Sequence, residues 1–393
     1  MRYVAGNRLT LLTNGEQYFP ALVEAIDAAS EEIFLETYIF ADDETGSLVA
    51  DALARAAARG VRVHLLVDGF GARDLAPRFG EMLIGAGAKI LVFRPNVSPW
   101  RLQRGRLRRM HRKLASIDAR IAFVGGINVI DDYDTPEYAP PRFDYTVRIA
   151  GPLAPEVHAA AARLWAQVSW ATFGRRWRAL SGMVREVGAP AQQASAPPVG
   201  GQRAALVLRD SLRHRSDIEE AYLSLIASAR EEIVIASAYF FPGRRFRQAL
   251  TQAAARGVRV VLLLQGRVEY LIAHYAAQAL YGALLDAGVE IHEYHRSFLH
   301  AKVAVFDRRT ASVGSSNIDP FSLLLAREAN VFVDDPGFAL ELRESLESAM
   351  REGARALPPL QWKRQPVWRR AGIWLAYGIA RLLMSFAGHE RYH

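Results

Sequence analysis

Apolar residues at Phe19, Leu22, Val23 and Ile26 recur at helical spacing, and the run Ile33–Phe40 that follows is rich in strand-forming side chains. A second helical stretch, around Leu48–Ala58, stops at Gly60, a residue suited to closing a helix in the left-handed conformation. Val61, Val63, Leu65 and Val67 then alternate as along a strand. Further on, Lys113–Ile117 reads as a short strand, with a turn near Asp118–Arg120 and a second strand in "IAFVGG". A later helix, around Phe246–Ala255, again ends at a glycine, Gly257. Helices alternating with strands predict a layered α/β fold.

These elements occur twice. "SEEIFLETYIF" (Ser30–Phe40) matches "REEIVIASAYF" (Arg230–Phe240), and "AAARGVRVHLLV" matches "AAARGVRVVLLL" with Gly60 and Gly257 in register. "LIGAGAKILVF" and "LLDAGVEIHEY" align at Gly87 and Gly288. The strongest match joins "HRKLASIDARIAFVGGIN" (His111–Asn128) to "HAKVAVFDRRTASVGSSN" (His300–Asn317). Each copy sets a Lys at +2, an Asp at +7, a Gly at +14 and an Asn at +17 from its His. Such self-similarity marks an internal duplication. The expected organisation is a first half over 1–187, a linker over 188–202 ("GAPAQQASAPPVGGQ" from Gly188), a second half over 203–356 and a terminal segment over 357–393.

Composition narrows the chemistry. With 393 residues, 51% hydrophobic and 23% charged, the chain can bury a sizeable core and is not disordered. It has no cysteine, which excludes disulfides and thiolate-bound metals. The net charge of +8 favours anionic partners: nucleic acid, an anionic membrane or phosphorylated molecules. The opening residues lack the apolar core of a secretory signal, and no run reaches the roughly 18 apolar residues of a spanning helix.

Two histidines brought together can divide the labour of phosphoryl-group transfer. One neutral imidazole attacks phosphorus while the other, protonated, gives its proton to the departing alcohol. Lys113, Lys302, Asn128 and Asn317 are suited to hold the non-bridging oxygens, where negative charge grows. Each copy supplies half of this set, so the duplication predicts one site shared between the halves. No further ligands stand at metal-binding spacing from His111 or His300, so no metal or other cofactor is expected, and His292 and His295 read as ordinary surface residues.

The paired His-x-Lys-x4-Asp patterns resemble those of the phospholipase D superfamily. More narrowly, "NGEQYFPALVEAIDAASEEIFLETYIF", "LVDGFG" and "GSSNIDPFSLLLAREANV" resemble bacterial cardiolipin synthases of the branch without N-terminal transmembrane helices, over roughly residues 8–350. The resemblance implies two phospholipase D-like α/β/α sandwich halves forming a pseudo-two-fold single-chain dimer. It implies a catalytic set of His111, Lys113, Asp118, His300, Lys302 and Asp307, with His111 as nucleophile and His300 as acid, although the residues alone leave that order open. Within this set it gives Asp118 and Asp307 a structural role away from the phosphorus, and it makes Asp144 (in "FDYTVRIAGP") and Glu328 (in "REANV") the partners that orient the histidines. The implied reaction joins two phosphatidylglycerol molecules into cardiolipin with release of glycerol, on the cytoplasmic face of a bacterial inner membrane. One departure stands out: many relatives have Arg-Ser where this chain has Pro320-Phe321-Ser322.

The halves differ most just before the first motif. Gly87 and His111 are 24 residues apart, against 12 for Gly288 and His300, and the stretch "RPNVSPWRLQRGRLRRMHR" (94–112) carries seven arginines and Trp100 without an acidic residue. It is expected to contact anionic lipid, since guanidinium forks suit phosphate and Trp suits a membrane interface. Near the C-terminus, Trp368, Ala371, Leu375, Ile379, Leu382 and Phe386 form an apolar stripe, with Arg370, Tyr377 and Arg381 on another face. Packing on the protein and lying in a membrane surface both fit this segment, whereas a central Arg381, costing about 3 kcal/mol on insertion, opposes spanning. Hydrolysis of a lipid or nucleic acid by the same site is the alternative activity. A non-catalytic scaffold is disfavoured by two intact motifs, and nucleic acid is the less expected partner because the apolar tail does not serve a nuclease.

Overall fold

The computed structural model describes residues 1–72, 75–95, 109–135, 139–177, 196–210, 214–267, 271–319, 326–359, 362 and 372–379. The first half runs β1 (Val4–Thr13), α1 (Asn14–Asp27), β2 (Glu32–Thr37), α2 (Glu44–Ala58), β3 (Arg62–Asp68), α3 (Glu81–Gly85), β4 (Lys89–Phe93), β5 (Lys113–Ile117), β6 (Ile121–Gly125), β7 (Tyr145–Ala150) and α4 (Ala154–Trp177). The second runs β8 (Gln202–Arg209), α5 (Asp217–Ser228), β9 (Glu232–Ser237), α6 (Arg244–Ala255), β10 (Arg259–Gln265), α7 (Leu271–Asp286), β11 (Glu290–Tyr294), β12 (Lys302–Phe306), β13 (Thr310–Gly314), β14 (Glu328–Asp334), α8 (Pro336–Gly353) and β15 (Ala354–Ala356).

The described strands form one sheet in the order β4-β3-β2-β5-β6-β7-β1-β8-β14-β13-β12-β9-β10-β11-β15. Read outward from the antiparallel β1–β8 seam, the two halves have the same strand order, and β15 is added at one edge. In each half three strands are parallel, as helical crossovers require, and the rest are antiparallel. Local chemistry sets the helix ends. Asp43 caps α2 by accepting from Gly46 N–H, Asp335 caps α8 by accepting from Phe338 N–H, and Gly60 and Gly257 both take φ +90° after their helices.

Helices cover both faces of each half, giving the expected α/β/α layering. On one side α1 and α2 bury Leu22, Ile26 and Leu53 against Ile33 and Leu35, and in the second half Ile226, Phe246 and Leu250 meet Ile233 and Ile235. The other side is a single core common to both halves. There Val124 and Val147 join Val313 and Val331, with Val157 of α4 and Leu342 of α8. β13 and β14 pack on β6 and β7, so this shared apolar layer holds the halves together.

Three expectations shift in detail. β2 ends at Thr37 rather than Phe40, because the chain turns so that Phe40 bridges Val129; Phe240 bridges Ile318 in the same way. The linker ends one residue early: Val199 and Gly200 donate to the Gly6 carbonyl, and Gln202 already opens β8. Residues 188–195 lie outside the described residues, as do 96–108 of the arginine-rich connection and Pro320-Phe321-Ser322. In the terminal segment 372–379 is helical, with Ile373 buried and Tyr377 against Phe241. Leu375 and Ile379 of the predicted stripe are exposed, together with Trp374, while Trp368, Ala371, Leu382 and Phe386 lie outside the described residues.

The hairpins that follow each His-x-Lys strand turn at Asp118-Ala119 and Asp307-Arg308, all four with φ near +50°. A two-residue turn with both central residues left-handed matches strand twist, and Asp tolerates it better than most residues. Asp118 also accepts the backbone N–H groups of Ser30, Glu31 and Glu32, and Asp307 accepts those of Arg230, Glu231 and Glu232. Partial burial alone raises the Asp118 carboxyl, but these N–H groups and the Ser30 hydroxyl outweigh it and hold the carboxyl below its ordinary value. Its anchoring is therefore complete above the ordinary carboxylate value and lost as pH falls below that value through the lowered one of the folded protein. Asp118→Ala and Asp307→Ala should each cost about 2 kcal/mol. Thermal unfolding at neutral pH checks this, and unchanged unfolding temperatures would refute the anchor.

Candidate active site

In an extended strand, residues two apart share a face, so His111 and Lys113 point one way and Arg112 the other. His300 and Lys302 repeat this, with Ala301 on the opposite face. Lys113 Nζ donates to the His111 carbonyl at 2.8 Å, and Lys302 Nζ donates to the His300 carbonyl. Each ammonium is thereby curled back beside its own histidine.

The halves meet at these histidines. His111 N–H donates to the Arg327 carbonyl, and His300 N–H donates to the Phe143 carbonyl. The residue after each of these carbonyls is the carboxylate that reaches the imidazole. His111 Nδ1 lies 3.0 Å from Glu328 Oε1, and His300 Nδ1 lies 2.6 Å from Asp144 Oδ2. The partners are thus exchanged: each histidine takes its carboxylate from the opposite half. A carboxylate at Nδ1 fixes that nitrogen as the N–H donor, which leaves Nε2 as the reactive nitrogen.

Each carboxylate is held in turn. Tyr145 N–H donates to Asp144 Oδ1, and Lys302 Nζ stands 3.7 Å from Oδ2. Ser315 Oγ donates to Glu328 Oε2 at 2.5 Å. The position matching Ser315 is Gly126, where a Cβ would stand 2.3 Å from Asp144 Oδ1, so only glycine fits beside that shorter carboxylate. Gly125 and Gly314 are demanded by the neighbouring strand, since a Cβ would meet Thr146 and Asn330 at 2.3 Å. Asn128 and Asn317 are buried at the ends of the two motifs. Asn128 Oδ1 accepts Ile39 N–H at 3.1 Å, which leaves its amide nitrogen as the end able to donate to an anion.

Burial and like charge dominate the electrostatics. Burial pushes His111 below its ordinary value, against the pull of Glu328 and with added repulsion from Lys113 and Lys302. His300 is pushed down to about 3 by burial and by Lys302, against Asp144. Lys113 is pushed down to about 7, again first by burial. Each half's lysine depresses the other half's histidine, as charges sharing one low-dielectric site do. A phosphodiester anion placed there would offset the lysine charge and let one imidazole take up a proton.

Asp118 and Asp307 are not brought to this site. They sit beyond the far ends of five-residue strands, about 16 Å along the chain direction from the lysines, and contact neither histidine. Several neighbours of the histidines went unread in the sequence. Tyr38 sets its ring edge-on to His111 at 5.1 Å, with Lys113 Nζ 5.3 Å from the ring centre, where the second half has Ala238. Asp68 of "LVDGFG" accepts the N–H of Met110 and so fixes the residue before His111. Differences between the aligned halves (Tyr38 and Ala238, Asp68 and Gln265, Gly126 and Ser315) were the available signal.

A family model described as "Cardiolipin synthase, PLD-like domain" matches residues 22–133 and 222–350, one segment in each half. Cardiolipin synthase B of Escherichia coli strain K12 is 38% identical over 383 residues, covering 98% of this chain and 90% of that protein. Cardiolipin synthase A of Pseudomonas aeruginosa is 33% identical over 359 residues, covering 90% of this chain and 69% of that protein. Among solved structures, the phosphatidylserine synthase of Haemophilus influenzae superimposes with a TM-score of 0.69 at 14% identity, covering 97% of this chain and 95% of that one, a likeness of fold. Two matched segments, relatives aligned along nearly the whole chain and a paired His-x-Lys site agree: the chain belongs to the cardiolipin synthase family of phospholipase D-like proteins.

Proposed function

We propose that this protein is a phosphatidyltransferase that converts two phosphatidylglycerol molecules into cardiolipin and glycerol. The observation that carries the reading is the exchanged pair, His111 with Glu328 and His300 with Asp144, which makes two imidazoles with free Nε2 atoms out of both halves. In the first step His111 Nε2 attacks the phosphorus of one lipid. The bond to the glycerol oxygen breaks, and His300 gives its proton to that oxygen. In the second step a hydroxyl of the other lipid attacks the phosphohistidine and returns a proton to His300. The N–P bond breaks, cardiolipin leaves and both histidines are restored. Lys113, Lys302, Asn128 and Asn317 hold the non-bridging oxygens through both steps. The order of the histidines follows the family resemblance.

The reading extends to location. Among the described residues no helix is long and apolar enough to cross a membrane. Trp374 and Leu375 stand in solvent on a helix whose Ile373 and Tyr377 hold it to the protein, as for a segment resting in a bilayer surface. We assign the protein to the cytoplasmic face of a bacterial inner membrane, where its net charge of +8 meets anionic lipid.

Analysis of lipid products after incubation with phosphatidylglycerol vesicles tests the reaction: cardiolipin is expected, and phosphatidic acid in its place would identify a hydrolase. His111→Ala and His300→Ala should each lower turnover at least a thousandfold, because neither half holds both groups. A trapped phosphoenzyme should carry its label on His111, and label on His300 reverses the roles.

Lys113 provides a second test. Its depressed value means that the folded protein disfavours the charged form. That penalty is largest near and below pH 7 and fades as pH rises toward the ordinary lysine range near 10.5. Lys113→Met should therefore abolish turnover yet raise the unfolding temperature by a few degrees at pH 7, with a smaller gain at pH 9. A loss of stability at pH 7 contradicts the electrostatic account.

For the membrane, Trp374→Ser combined with Leu375→Ser should weaken flotation with anionic vesicles most at high salt, where screening has removed the electrostatic attraction. Equal flotation of both proteins at high salt would show that this helix does not enter the bilayer surface.

A further inference from the structure

Each half's lysine is curled onto the carbonyl of its own histidine, but the two ammonium groups have different neighbours. Lys302 Nζ stands 3.7 Å from Asp144 Oδ2, an ion pair. Among the described residues no carboxylate forms an ion pair with Lys113, and Glu328, Asp144 and Asp68 act on it from farther off. What stands beside Lys113 instead is the face of the Tyr38 ring, with Nζ 5.3 Å from its centre. Lys113 is buried, and a buried ammonium without a counter-charge is costly.

The backbone around Tyr38 is fixed. The residue follows the end of β2, in a turn where Thr37 Oγ1 donates to the Ile39 carbonyl at 2.7 Å. A Cβ at Gly71 would stand 2.3 Å from the Tyr38 carbonyl, so the loop after β3 closes directly on this residue. The Tyr38 ring also meets His111, with the ring centres 5.1 Å apart and the planes at 62°. The second half repeats the turn, Ser237 Oγ donating to the Tyr239 carbonyl at 2.8 Å, but there the residue matching Tyr38 is Ala238. The half whose lysine has an ion pair thus has a methyl group at this place, and the half whose lysine lacks one has a ring.

We infer that Tyr38 is a positioning residue for phosphate binding: its ring face takes the place of a carboxylate beside Lys113 and leaves that ammonium's other hydrogens to a phosphodiester. An aromatic face attracts a cation through its quadrupole, most strongly where water is excluded, yet it takes no short hydrogen bond as a carboxylate does. A carboxylate in the same place would compete with the substrate's oxygens for the ammonium. The charged and titratable groups facing Lys113 are His111 on its own strand, Glu328 of β14, Lys302 of β12, Asp144 ahead of β7, Asp68 of β3 and His300. Burial and Lys302 work against its charge and outweigh the carboxylates. The ring works with the carboxylates, so its loss should lower the titration of Lys113 further and leave less of it charged at neutral pH. The consequence for turnover rests on the proposed transfer reaction, whereas the titration does not.

Both are measured on the full-length protein. The sequence has four lysines, Lys89, Lys113, Lys302 and Lys363, so isotopic labelling of lysine side chains lets each be followed by NMR as pH is varied, with assignment by substitution. Tyr38→Leu keeps apolar bulk against Lys113 but has no ring face. It should lower the Lys113 midpoint by about half a unit or more and leave the Lys302 midpoint no lower. Release of glycerol from phosphatidylglycerol vesicles is common to transfer and hydrolysis, and the alkaline limb of its kcat/KM should move down by the same amount, a loss of roughly threefold at pH 8. Tyr38→Phe keeps the ring and should leave the midpoint and the limb in place. Tyr38→Met serves where the Leu variant does not fold. A Lys113 midpoint unchanged or raised in a folded variant without the ring overturns the inference, as does a Phe variant that behaves like the Leu one. Wild-type protein that releases no glycerol refutes the proposed reaction instead, while the lysine titration still decides the role of the ring.

Discussion

Four groups that carry or can take up positive charge, two imidazoles and two ammonium groups, share one buried site, and their mutual repulsion has to be met by carboxylates. The first half alone would leave His111 and Lys113 without Glu328, and the second would leave His300 and Lys302 without Asp144. The exchange of carboxylates across the pseudo-two-fold axis therefore completes the site and couples its chemistry to the association of the halves. It is delivered by backbone: the bridges Met110 to Arg327 and Phe143 to Leu299 bring each carboxylate strand alongside the opposite histidine. The shared apolar core of β6, β7, β13 and β14, with α4 and α8, supplies the free energy that keeps those bridges in register.

Anchors remote from the chemistry keep the strands themselves in place. Asp118 and Asp307 bind the start of β2 and β9 by their N–H groups, so the hairpin carrying each His-x-Lys pair is tied to its neighbour at the end away from the site. Glycines at 125, 126 and 314 permit the close approach of strands and carboxylates. Each element of the repeated motif thus has a separate physical task, and only part of the motif lies beside the paired histidines.

Duplication and divergence act on different parts of this plan. The His, Lys and Asn of the candidate site, with an opposing carboxylate, are retained in both halves. What differs beside the two histidines is Tyr38 against Ala238 and Gly126 against Ser315. A symmetric scaffold with an asymmetric lining suits a reaction in which two substrates of the same kind must take unlike roles in succession.

The linear sequence determined the duplication, the α/β layering and the paired His, Lys and Asn of the candidate site, because these are written in local periodicity and in a repeat with constant internal spacing. The +2 spacing alone puts His and Lys on one strand face, and the glycines at 60 and 257 mark their helix ends without knowledge of the fold. Asp144 and Glu328 were legible as partners only through resemblance to a family, and which histidine each serves was not legible, since that depends on contacts between residues 156 and 217 positions apart. The same limit hid Tyr38 beside His111 and the exposed side of the terminal helix. Side-chain neighbours across a sheet are set by register and packing, and the tertiary structure alone decides those, because no local pattern records which strand will lie next to which.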